Sequence, residues 1–261
     1  MFPSRRFLCL LLPALALAAQ DSELPLALNL PTPDHLADGS LGVRFTHRFQ
    51  QPARGASKDL YGLDGGNYAG LGLDIGIKPV AGLNAQFYRT ADNKTVVLAL
   101  QQQLVAGPRF RLAARVERFD ETLQRAQVFY GTVGITGAAV QLPAEVRLGA
   151  ALTLSLVPTY LSRTTTQDKP LVTAGAGARW QFSDRHSLLA EYVPRPARLD
   201  SRRFEAGAAL GYRFHTRGHR FTLLASNLGG TTAHQVLGGD YASGPRSINK
   251  WALGFNLVRI F

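Results

Sequence analysis

The sequence predicts an all-β fold: a transmembrane antiparallel up-and-down β-barrel of about 12 strands behind a cleaved signal peptide. Three observations predict it. Apolar and polar side chains alternate at every second position over most of the 261 residues, the connections between these runs alternate between short and long, and the last run, "KWALGFNLVRIF", reaches an aromatic residue. Alternation of period two is a strand with one face in an apolar phase. In hydrocarbon a backbone N–H or C=O has no water to bond, so such a sheet must close on itself. Composition agrees. A hydrophobic content of 46% is too high for a disordered chain, and a mean hydropathy of -0.03 is too low for a helical membrane protein.

The leader comes first. "MFPSRRFLCLLLPALALAAQ" has Arg5 and Arg6, an apolar run from Phe7 to Leu17, and small residues that place cleavage after Ala18. The run is too short to span a bilayer. It carries Cys9, the chain's only cysteine, so residues 19–261 have no disulfide, thiolate metal site or cysteine nucleophile. The net charge of +11 stays strongly positive without Arg5 and Arg6. For an exported chain that balance points to lipid phosphates or acidic solutes and away from nucleic acid. Residues 19–40, with Pro25, Pro31 and Pro33, show no period and read as an N-terminal periplasmic segment, a linker free or tucked against or into the domain. Residues 41–261 are the barrel.

The strands follow in order. "LGVRFTHRF" sets Leu41, Val43, Phe45 and Phe49 against Gly42, Arg44, Thr46 and Arg48, and "NYAGLGLDIGI" sets Leu71, Leu73 and Ile75 against Gly70, Gly72 and Asp74. "LNAQFYR", "TVVLALQQQL" and "FRLAARVER" continue the pattern, with Gln86, Gln101, Arg111, Arg115 and Glu117 on the polar face. Alternation is poorest between Phe119 and Val140, which leaves the strand count open there. "VQLPAEVRL" resumes it around Pro143, which suits a bulge. "ALTLSLVPTY", "VTAGAGARWQF", "SLLAEY", "FEAGAALGYRF", "RFTLLAS" and the terminal run complete the set. The short connections, "KPVAG", "AGP", "GA", "SDRH" and "HTRGH", hold the Gly, Pro and Asp of tight turns; only "TADN" is short among the longer polar ones. Short periplasmic turns and long outer loops are the pattern of outer-membrane barrels, and Phe49, Tyr88, Trp180, Tyr192, Phe214 and Trp251 suit an interfacial girdle.

Charge placement says most about function. Alternation turns Arg44, Arg48, Arg111, Arg115, Arg147, Arg179 and Arg213 inward, with Asp74, Glu117, Glu145, Glu191 and Glu205. A charge facing lipid near the midplane costs about 2–4 kcal/mol, so these residues line water or pair within the lumen. An open Arg-lined pore and a plug of Arg–carboxylate pairs both satisfy that demand. Other motifs carry less. Asp59 and Asp64 in "KDLYGLDGG" lack the further oxygens of a calcium loop, and Gly70, Gly72 and Gly76 lack nucleotide-loop spacing. His215 and His219 lie in a turn without the glutamate of a zinc helix, so no metal or other cofactor is expected. No Ser, His and carboxylate are grouped as a hydrolase requires, and the chain is read as no enzyme.

Two stretches, "FTHRF" followed by "DLYGLDGGNYAGLGLDIGI", and "LSLVPTYLSR" with "GAGARWQFSDRHSLLAEY", resemble a bacterial outer-membrane β-barrel family of unknown function. In that family a His-Arg-Phe strand precedes a Gly-Leu-Asp-Gly loop. The resemblance runs from about Leu41 to Tyr192, and it implies a fold without implying an activity. The terminal strand, with Trp251, Leu253, Phe255, Leu257 and Phe261 on one face, resembles the C-terminal signal read by the outer-membrane assembly machinery; Arg259 departs from it. The expected setting is the bacterial outer membrane, with phospholipid and lipopolysaccharide around the barrel. The expected function is passive diffusion of small, preferentially anionic solutes; the alternative is a non-conducting structural or docking barrel that binds another envelope component.

Overall fold

The computed structural model describes residues 25–49, 63, 67–91, 94–124, 132–164, 169–194, 206–238 and 251–261. Its strands are β1 (Leu41–Phe49), β2 (Asn67–Gly76), β3 (Leu83–Thr90), β4 (Val96–Ala106), β5 (Phe110–Gln124), β6 (Thr132–Gln141), β7 (Ala144–Leu148), β8 (Leu152–Leu161), β9 (Leu171–Gln181), β10 (His186–Val193), β11 (Gly207–His215), β12 (His219–Ser226) and β13 (Ala252–Ile260). Each pairs antiparallel with its neighbour. The order runs β4-β3-β2-β1-β13-β12 and on to β5, which pairs back onto β4, so the sheet closes. β6 and β7 both lie between β5 and β8 and form one crossing, which makes a 12-strand barrel. The break falls at Leu142 and Pro143, since proline has no N–H for the ladder. The Pro143 carbonyl still accepts the N–H of Ala113 at 2.9 Å.

Residues 77–82, 107–109, 149–151, 182–185 and 216–218 form the short turns, all at one end. Gly82 and Gly149 turn there with φ of 73° and 68°, a region closed to most side chains. Leu41 and Phe261 meet at the same end: the Phe261 N–H donates to the Leu41 carbonyl at 2.8 Å and the reverse bond spans 3.3 Å. Arg259 faces outward, its guanidinium 4.8 Å over the Phe261 ring. An arginine at the membrane edge keeps its charge in the headgroup layer while its stem covers apolar surface.

The predicted faces hold. Leu71, Leu73, Ile75, Leu98, Leu100, Val116, Leu154, Leu156, Leu210 and Leu223 lie exposed on the outer surface, the apolar band that lipid covers. The poor alternation after Phe119 has a physical cause. Phe119 is fully buried on the inner face, while Arg118 and Asp120 point outward and pair at 3.4 Å. Polarity is therefore inverted over those three residues. One expectation is corrected: Tyr88 is no girdle residue. It shares the inner row of Asn84 and Gln86, is buried, and packs where Gly70 and Gly72 leave room. Residues 1–18, Asp59, Asp64 and Glu205 lie outside the described residues.

Candidate functional site: a filled lumen

The N-terminal segment rises into the barrel. Leu26 bridges Pro31, the Ala27 N–H donates to the Leu30 carbonyl at 2.9 Å, and the Thr32 N–H reaches the Pro25 carbonyl at 3.3 Å. This tight turn holds Leu28, Asn29 and Leu30, each almost fully buried. Prolines suit such a place, because each removes one N–H that would otherwise need a partner.

Glu191 on β10 receives that turn. Its carboxylate accepts the backbone N–H groups of Leu28, Asn29 and Leu30 at 2.8, 2.9 and 3.0 Å, and the Asn29 amide at 3.0 Å. Three successive N–H groups aimed at one anion form a backbone nest. The wall holds the segment's oxygens in turn. Arg48 donates to the Asn29 side chain at 2.9 Å, Asn256 to the Leu28 carbonyl at 2.9 Å, and Arg213 to the Leu26 and Ala27 carbonyls. Gln101 donates to the carbonyls of Thr32 and Asp34 at 2.8 and 2.9 Å, and Gln103 to that of Pro33 at 2.9 Å. Arg111 lies between Asp34 and Glu145 and bonds both carboxylates. Asn84 accepts the N–H of Leu36 at 2.9 Å.

Apolar sockets complete the fit. A Cβ on Gly175 would stand 2.7 Å from a Leu30 methyl, and one on Gly211 would stand 2.4 Å from a Leu28 methyl. Both glycines face the lumen because the leucines need the space. Gly175→Leu is expected to push Leu30 out while the outer face of β9 stays unchanged. The check is faster cleavage of residues 25–40 by added protease, with the heat-modifiable gel shift of a folded barrel retained.

Residues 227–238, after β12, fill the other part of the lumen, and all of them are buried. Leu228, Val236 and Leu237 join Leu30, Ala139, Val157, Leu161 and Val193 in one apolar cluster. Within this loop lies a short helix, α1 (Ala233–Leu237). His234 Nδ1 is 2.8 Å from Glu117, its Nε2 is 3.2 Å from Glu121, and its ring stacks on Phe119 at 3.8 Å. Gln235 donates to Glu121 at 2.5 Å and Thr95 at 3.3 Å. Burial alone would lower the His234 pKa, but the two carboxylates outweigh it and raise it to about 9. A pKa raised on docking contributes stability below the free histidine value, about 6.5, that is lost as pH rises through about 9. Loop docking is therefore expected to loosen between pH 7 and 10, and a His234→Phe variant to lose that dependence. Hydrogen exchange of residues 227–238 against pH checks both.

Among the described residues, two of the spaces between plug and wall are small. One lies by Arg44, Gln86, Tyr88 and Arg115 and another by Asp34, Glu145, Arg179 and Arg213, each about 20 Å³, the scale of a single water. Arg44 faces Asp74 at 3.9 Å and covers the Tyr88 ring at 4.8 Å, while Arg115 pairs with Glu117 at 3.1 Å. Arg147 keeps the inward row of Glu145 but lies exposed at the short-turn end. Sequence reasoning missed Asn29, Asp34, Glu121, His234 and Asn256 as partners. Glu121 shares the inner row of Glu117 and Phe119 and could have been found there. The others sit in aperiodic segments or read as neutral strand positions.

Residues 139–261 match the family described as membrane bound beta barrel domain (DUF5777). Comparison with curated proteins finds no match. Among solved structures, an outer membrane channel from Pseudomonas putida F1 aligns with a TM-score of 0.52 and 12% identity, over 94% of this chain and 100% of that one. The KdgM porin aligns with a TM-score of 0.51 and 8% identity, over 85% and 99%. Outer membrane phospholipase A from Escherichia coli aligns at 0.47 with 12% identity, over 85% and 90%. The closed antiparallel sheet, its apolar outer band, the family match and the likeness in fold to the channel and the KdgM porin agree: the chain is a membrane-bound β-barrel of the bacterial outer-membrane kind.

Proposed function

We propose that this is a non-conducting barrel, a structural or docking protein of the outer membrane whose lumen holds its own N-terminal segment. The observation that carries the reading is the seat of residues 28–30, with three N–H groups on Glu191 and two leucines in glycine sockets. A path for solute would need those contacts broken. The inward Arg and carboxylate residues serve on this reading as plug holders, and the row from Trp251 to Phe261 as the assembly signal, with Phe261 bonded into the closing seam.

A second reading is a channel opened when the N-terminal segment withdraws. It draws on Arg48, Arg111 and Arg213, which would then line the lumen, and on the names of two similarly folded structures, a porin and a channel. Planar-bilayer recording of the full chain and of a variant lacking residues 19–36 separates the two. On the first reading the full chain inserts without current steps under all voltages. Stable, anion-selective steps from the full chain would sink it, and steps from the shortened variant alone would place the plug as the barrier.

A further inference from the structure

The short-turn end carries a repeated pairing of a lipid-side aromatic ring with an arginine. Arg109 precedes Phe110, Arg185 follows Phe182 by three residues, Arg217 follows Phe214 by three, and Arg259 precedes Phe261 by two. Phe110, Phe182 and Phe261 are exposed on the outer face, and Phe214 lies there stacked on Phe221 at 4.8 Å. The four pairs sit at the β4–β5, β9–β10 and β11–β12 turns and at the end of β13.

Interfacial rings settle at headgroup level, so a cation one to three residues away is held at phosphate depth. Arg259 gives the local geometry: its guanidinium lies over Phe261, and its Nη1 is 3.2 Å from His219 Nε2. Further positive charge comes from Lys78 in the β2–β3 turn and from Arg147, whose N–H donates to the Arg109 carbonyl at 2.8 Å. Asp38 and Asp184 are the acidic residues among the described positions of this rim, too few to balance it.

We propose that this rim gathers anionic phospholipid, with Arg109, Arg185, Arg217 and Arg259 holding phosphatidylglycerol-type headgroups in the leaflet on the short-turn side. The distribution decides the occupant. A protein partner would meet one patch, whereas these pairs are spread among four separate strand ends, and each arginine lies within three residues of a lipid-facing ring. Lipopolysaccharide belongs to the opposite leaflet. The inference does not depend on whether the lumen conducts.

Native mass spectrometry of the full chain, released from detergent in an equimolar mixture of phosphatidylglycerol and phosphatidylcholine, tests it. The wild-type protein is expected to retain phosphatidylglycerol several-fold over phosphatidylcholine. R109Q/R185Q/R217Q/R259Q should bring that ratio near one, and the pairwise variants R109Q/R185Q and R217Q/R259Q should each lower it partway. Heat-modifiable mobility checks that each variant is folded. Equal retention by the wild type, or an unchanged preference in the folded pairwise variants, would overturn the proposal. So would loss of bound lipid to millimolar inorganic phosphate, which would mark a free-phosphate site instead.

Discussion

Glu191→Ala is expected to release the N-terminal segment from the lumen while leaving the barrel closed. The carboxylate accepts three backbone N–H groups and one side-chain amide, all in a nearly dry setting. Each buried N–H left without a partner costs about 1–3 kcal/mol, so the unseated form is favoured by several kcal/mol relative to wild type. The sheet itself loses little, since the backbone pairs of Glu191 with Gly177 and Ala209 do not involve the side chain. The result to look for is rapid proteolysis within residues 25–36 on a barrel that still migrates as folded. Glu191→Gln should fall between, because one amide oxygen still accepts while its NH₂ faces donors.

Arg111→Ala should act on the barrel as well as the plug. Arg111 is the shared partner of Asp34 from the segment and Glu145 from β7. Removing it leaves two buried carboxylates facing each other, and breaking a buried pair from one side costs roughly 3–5 kcal/mol. Arg111→Lys keeps the charge but has no planar fork to hold both acceptors, so it recovers only part of the loss. The midpoint of the heat-modifiable shift should fall clearly for Arg111→Ala and less for Arg111→Lys. An open, water-filled pore would give another outcome: changed ion selectivity with little loss of stability.

Much of this was legible in the sequence, for a physical reason. A strand between lipid and lumen must alternate, so β1, β2 and β13 could be read to within a residue or two, and with them the inward Arg and carboxylate rows. Even the interruption at Pro143 and the departure of Arg259 from the apolar row were visible as breaks in the pattern. The seat of the plug was not legible. Residues 25–40 form none of the barrel's strands, so no period marks them, and their prolines and scattered leucines read as a periplasmic segment. Its sockets, Gly175 and Gly211, looked like any small inward residue until Leu30 and Leu28 were seen against them. His234 was hidden likewise, because its partners Glu117 and Glu121 are more than a hundred residues away in sequence. Local alternation encodes the wall; what fills it is encoded in complementarity between distant residues.

The central claim is that the N-terminal segment sits inside the barrel, with Leu30 on Gly175. Thiol cross-linking in intact outer membranes tests it most directly. A chain with Leu30→Cys and Gly175→Cys, treated with a short bis-alkylating reagent that becomes fluorescent when both of its halides are displaced by thiolates, is expected to form the intramolecular bridge in high yield. Each single-cysteine variant should resist a bulky, membrane-impermeant maleimide. Failure to bridge, together with ready labelling of both single cysteines by that maleimide, would contradict the plug and return the lumen to solvent.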